Sequence, residues 1–156
     1  MFKVMRQRHS AFLVLGVLSA LLFAFQLLSP VSAIAETTKD KAAVLSANAE
    51  FYRAFRESDI VAMDTLWGRI GKIAVEHPNG MRLEGRTEVM ASWAAILLRP
   101  PVIHCVVEAV RMTGERAIVI CLEQLNPGKV RMQNIFHRET GAWKLIYHGP
   151  ISETLS

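Results

Sequence analysis

The chain has 156 residues with 18 Lys+Arg and 14 Asp+Glu, a net charge of +4 and room for one domain. Lys3, Arg6 and Arg8 sit ahead of a long apolar run; without them 15 bases face 14 acids, a net +1. That balance, with no Lys/Arg cluster interleaved with aromatics, excludes a nucleic-acid footprint.

The N-terminus comes first. Ala11 to Leu28 is apolar apart from Ser19 and Gln26, and small residues follow up to Ala33-Ile34-Ala35. A basic start, an apolar centre and an A-x-A end predict a secretory signal over residues 1–35. Cleavage is expected after Ala35, with Ala33 as the second choice. The alternative is an uncleaved anchor, since ~17–25 apolar residues suffice to span a bilayer. Once cleaved, residues 36–156 form an exported domain, periplasmic or secreted, with no remaining hold on the membrane.

Val44, Leu45, Phe51, Tyr52 and Phe55 recur near helical spacing, which predicts a helix over residues 39–56. Ser58-Asp59 offers an N-cap to a short second helix, residues 60–67. Gly68 to Gly71 breaks it. Residues 72–78 read as a short strand closed by Pro78-Asn79-Gly80. A third helix follows, with Thr87 as its cap and Val89, Met90, Trp93, Ile96 and Leu97 as its stripe, until Pro100-Pro101 stops it. From Val102 to Ile151 the chain is strand-like, with turns at Gly114, Pro127-Gly128 and Thr140-Gly141. Helices first, then an antiparallel meander, indicate an α+β fold with the helices on one sheet face.

Symmetric turns would set the facing of every strand residue, because side chains alternate sides. They place Val106, Glu108, Val110, Val119, Cys121, Glu123, Met132, Asn134, Phe136, Trp143, Leu145 and Tyr147 on the helix side, with Tyr147 opposite Asn134. His137 and His148 fall on the polar side with Arg111, Arg131 and Lys144. Cys105 and Cys121 then face opposite ways, so two free thiols are expected despite the export signal.

Four segments, "NAEFYRAFRESDIVAMDTLW", "HPNGMRLEGRTEVMASWAAIL", "AIVICLE" and "QNIFHRETGAWKLIYH", resemble in order and spacing the SnoaL-like domains of the nuclear transport factor 2-like superfamily. The resemblance spans about residues 44–152. It implies a cone-shaped α+β fold, three N-terminal helices packed on a curved antiparallel sheet, and often a homodimer. Interiors of such domains serve hydrolases, isomerases, cyclases and plain ligand binders, so the fold alone does not choose. The matching positions are His77-Pro78, Gly85-Arg86, Trp93, Glu123 and Asn134. The terminal histidines of the family are reduced here to "YHGP", with Tyr147 where the first inward histidine is often found.

Glu123 is the leading candidate for chemistry. A carboxylate on an apolar face has its pKa raised by desolvation, which suits an acid or base near neutral pH. His77, on the inward parity of its strand, is its expected acid–base partner. Asn134 and Tyr147 are expected to orient a ligand, with Trp93, Trp67 and Met132 lining the same apolar concavity. No zinc, P-loop or nucleophile-elbow motif is present, and adjacent His104 and Cys105 cannot chelate one ion, so neither metal nor cofactor is expected. The expected partner is a small, partly apolar molecule. Acid–base catalysis on it is one reading; a non-catalytic binding or homodimeric interaction module is the other.

Overall fold

The structure is a computed structural model that describes residues 30–151, with side chains from residue 37 onward. The expected signal at 1–35 lies outside the described residues apart from the backbone of residues 30–35. The compact unit begins at Thr38. No helix among the described residues is long and apolar enough to cross a membrane.

Helix α1 (Pro30–Arg56) buries Val44, Asn48, Phe51, Tyr52 and Phe55, which share one face at helical spacing. Arg53 and Arg56 sit in its last turn, where a cation suits the helix dipole. Helix α2 (Ile60–Leu66) starts as expected, with the Asp59 carboxylate accepting from the Ala62 N–H at 2.9 Å. Helix α3 (Arg86–Ile96) starts at Gly85 without a side-chain cap, so Thr87 does not fill that role. Instead Arg86 reaches back to the orphan carbonyls ending α2. Its guanidinium donates to the carbonyls of Asp64, Trp67 and Gly68 at 2.8–3.0 Å, and to Asp64 Oδ1 at 2.5 Å. The Gly-Arg pair is thereby a clamp between two helices.

The strands are β1 (Ala74–Glu76), β2 (Arg82–Glu84), β3 (His104–Thr113), β4 (Arg116–Gln124), β5 (Lys129–Glu139) and β6 (Ala142–Pro150). They form one sheet in the order β2-β1-β6-β5-β4-β3. The last four make the expected meander. Strand β1 joins β6 in parallel, so the sheet is mixed rather than wholly antiparallel. Strand β2 was not foreseen; it returns antiparallel on β1 after a turn held by Asn79, whose side chain accepts from the Met81 N–H at 3.0 Å. Phe51, Met63, Trp67, Val89 and Trp93 pack from the helices onto Val119, Cys121, Phe136 and Leu145 of the sheet.

Two bulges overturn parts of the symmetric alignment. In β3 the register passes from Val107↔Cys121 to Ala109↔Ile120, leaving Glu108 as the extra residue. Below it, half-buried Cys105 and the still exposed Val107 take the helix side, while Val106 and Glu108 take the other, Glu108 meeting Arg131 at 2.8 Å. Cys105 and Cys121 therefore lie on the same side, 5.4 Å apart at Cα, and form a disulfide. The expectation of free thiols fails for this reason.

The second bulge is in β6. The pairing runs Phe136↔Leu145 and then Ile135↔Tyr147, so Ile146 is the extra residue. His148, not Tyr147, faces Asn134. Tyr147 turns to the outer side, where its hydroxyl meets Glu76 at 3.3 Å and its ring covers Gly149, a place that a side chain could not share. The β4–β5 loop moves the pairing by two residues, Glu123 facing Val130 rather than Met132, which leaves every facing unchanged.

The disulfide closes a span of 16 residues. By the chain-entropy account such a loop contributes about 3 kcal/mol. Denatured, non-reduced protein should titrate no free thiol, and reduction should lower the unfolding free energy in urea by roughly that amount.

Candidate functional site

A cavity of ≈ 480 Å³ opens between α1, α3 and the sheet. Its buried end is built from Phe51 and Tyr52 of α1, Trp93 of α3, His77 just after β1, Glu123 of β4 and His148 of β6. Ile96, Ile103 and Leu125 form half-buried walls, and exposed Pro78, Asn79, Met81, Arg99 and Pro101 frame the mouth.

The polar groups at the buried end form one chain. Asn48 is paired with both disulfide sulfurs, its Nδ2 lying 3.6 Å from Cys121 Sγ and 3.8 Å from Cys105 Sγ. Its Oδ1 accepts from Asn134 Nδ2 at 2.7 Å. Asn134 Oδ1 then faces His148 Nδ1 at 2.6 Å. An amide oxygen only accepts, so His148 carries its proton on Nδ1. In the neutral ring Nε2 is left as a lone pair, 3.9 Å from Glu123 Oε1. Tyr52 donates its hydroxyl to that same oxygen at 2.6 Å.

Burial sets the protonation of this group. Desolvation raises the Glu123 carboxyl above 4.5, a rise partly offset by the Tyr52 hydrogen bond. Desolvation, helped by His77, takes His148 down to about 3. Desolvation also lowers His77, whose Nε2 lies 2.6 Å from Ser92 Oγ. Tyr52 is pushed well above the ordinary phenol value, by burial first and by Glu123 second. The buried end therefore holds a neutral base beside an acid that retains its proton to higher pH than usual.

Of the residues expected from sequence, Glu123, His77 and Trp93 line the cavity. His77 bonds to Ser92, however, and the imidazole beside Glu123 is that of His148. Asn134 stands one bond behind the cavity as the group that orients His148. Met132 and Trp67 are core residues and not part of the lining, and Tyr147 lies outside it. Tyr52, Asn48 and His148 were missed. Asn48 and Tyr52 stand four apart on α1, a helix-face pair that the sequence does display. Among the described residues no group of three or more His, Cys, Asp or Glu has the geometry to hold a metal.

The family model for the SnoaL-like domain matches residues 44–150. This chain belongs to the SnoaL-like domain family. A conjectural dehydratase of the NTF2-like family from Streptomyces avermitilis is 29% identical, with a TM-score of 0.64 over 74% of this chain and 98% of that one. An NTF-2-like protein of unknown function from Shewanella oneidensis, 12% identical, shares the fold at a TM-score of 0.59 over 70% of this chain and 97% of that one. The F-box protein SKIP8 of Arabidopsis thaliana is 26% identical over 125 residues, 78% of this chain; the chain spans 54% of that relative's length.

The histidine makes a pH prediction for this SnoaL-like domain. Unfolded, His148 titrates near 6.5; folded, near 3. Unfolding therefore takes up a proton between these values, and stability falls as pH falls through them. Glu123 acts oppositely, favouring the folded state less as pH rises past 4.5. His148→Gln should reduce the acid loss by roughly 1–3 kcal/mol between pH 6.5 and 4.5 in denaturant titrations. Imidazole nitrogen NMR of the folded protein should show the Nδ1–H form at pH 6; a ring protonated on both nitrogens there would refute the assignment.

Proposed function

We propose that this SnoaL-like domain admits a small, partly apolar molecule and moves a proton on it with Glu123, His148 standing beside the carboxyl. The observation that carries this reading is the 3.9 Å gap between Glu123 Oε1 and His148 Nε2 at the buried end of the cavity. The gap is too long for a direct hydrogen bond, and a substrate atom facing it from the cavity side can approach both groups at once. The Glu123 carboxylate takes the proton from carbon and returns it to a second carbon or to a departing hydroxyl, while the His148 Nε2 lone pair accepts a hydrogen bond from the substrate. Return of the proton resets Glu123. Isomerisation and dehydration both fit this exchange, and the Streptomyces avermitilis neighbour is described in terms of the second.

Export and dimerisation belong to the same proposal. A disulfide suits an oxidising compartment, in keeping with the signal-like N-terminus. The outer side of the sheet leaves Ile118, Ile120, Leu122 and Ile135 half-buried, an aliphatic surface suited to a second copy. Light scattering of the purified domain should give twice the chain mass, and Ile120→Glu should return it to the monomer.

The neutral probe 5-nitrobenzisoxazole tests the chemistry, because removal of its ring C–H proton opens the ring to a coloured phenolate. Above the raised carboxyl pKa, Glu123 itself is the base for this probe. Wild type should open it faster than Glu123→Gln by at least ~100-fold, with the rate rising with pH through a value displaced above 4.5. Equal rates for the two proteins would leave the non-catalytic binding module as the reading.

A further inference from the structure

Arg99 follows α3 in the loop that precedes β3 and borders the cavity mouth. Its side chain is exposed, and its guanidinium has no ion pair or hydrogen bond among the described residues. Elsewhere the arginines near the site are engaged: Arg82 with Glu84 and Glu76, Arg86 with Asp64. Glu123 is the one acid among the residues lining the cavity, and it lies at the far, buried end with 2% exposure. Between it and the mouth the walls are Phe55, Ile96, Ile103 and Leu125, none of which carries a charge.

The cavity is thus graded along its length. It has an acid–base pair inside, an apolar middle and one uncompensated cation at the opening. We propose that the substrate is an amphipathic organic acid. Its reacting hydroxyl or carbonyl sits at Glu123 and His148, its hydrocarbon body fills the middle, and its carboxylate or sulfonate-like group stays at the mouth against Arg99. This deepens the acid–base reading and rests on it for the orientation of the molecule. Arginine suits the task, since its planar fork takes both oxygens of a carboxylate at once. A charged group left at the rim also keeps much of its hydration, so binding does not require a buried anion. Asn79 lines the same mouth, with its side-chain oxygen committed to the Met81 N–H.

Two dyes of one skeleton test the idea. 1-Anilinonaphthalene-8-sulfonate carries an anion, N-phenyl-1-naphthylamine lacks it, and both brighten in apolar sites. Fluorescence titration of the wild-type domain should show the sulfonate dye binding about tenfold tighter than the neutral one. Arg99→Gln should remove that preference by weakening the sulfonate dye alone, and added salt should do the same. Ala95→Trp, at an exposed position on the cavity lining, should weaken both dyes and so place them in this cavity. Equal affinities in wild type, an anion preference that survives Arg99→Gln, sulfonate binding indifferent to Ala95→Trp, or no binding of either dye would each overturn the proposal. The dyes undergo no proton transfer and the benzisoxazole carries no anion. Loss of the dye preference with benzisoxazole turnover intact therefore removes only the role of Arg99, and the reverse removes only the acid–base reading.

Discussion

One inserted residue decides what this cavity contains. Strand β6 carries Ile146 as an extra residue opposite β5, and from there on each side chain faces the way its predecessor would have faced. His148 is thereby turned onto Asn134 and into the buried end, and Tyr147 out to the sheet's other side. Without the insertion a phenol would occupy the place of the imidazole, and Glu123 would have no base beside it. The parallel pairing of β1 along this same stretch, Ala74 with Tyr147 and Val75 with His148, fixes the shifted segment from its other edge.

Helix α1 then makes the arrangement self-consistent. Asn48 and Tyr52 supply partners to the few polar groups of an otherwise apolar sheet face, Glu123, Asn134 and His148, and every member of the chain from the disulfide to His148 has a partner. Such a network ties α1 to β4, β5 and β6 more specifically than packing alone, because removing a member leaves another buried donor or acceptor unpaired at about 1–3 kcal/mol each. Asn134, like Asn48, uses both ends of its amide. A carboxylate at that position would offer Asn48 no donor, and an aliphatic residue would free the imidazole to rotate.

Much of this was legible in the sequence. Hydrophobic spacing, the Asp59 cap and the turn residues locate all three helices and the four-stranded meander, and parity alone puts Val119, Cys121, Glu123, Asn134 and Phe136 on the buried side, as they are. What parity cannot register is a bulge. Glu108 and Ile146 carry no glycine or proline to mark them, and both insertions arise from how the strand fits its neighbours rather than from its own residues. Each produced a paired error: Cys105 with Val106 at one, Tyr147 with His148 at the other. Strand β2 escaped notice for a related reason, as three residues with two charged among them form a strand only because β1 offers an unpaired edge.

The neutrality of His148 beside Glu123 follows from the surroundings. Phe51 and Trp93 pack against His148 at ring separations of 5.0 and 5.6 Å, and no cation lies near enough to stabilise an ionised Glu123 in the resting cavity. A buried ion pair here would lose more hydration than its mutual attraction returns. On the proposed reading, the same dry walls that raise the Glu123 carboxyl also make its carboxylate, once formed, a stronger base toward a bound molecule.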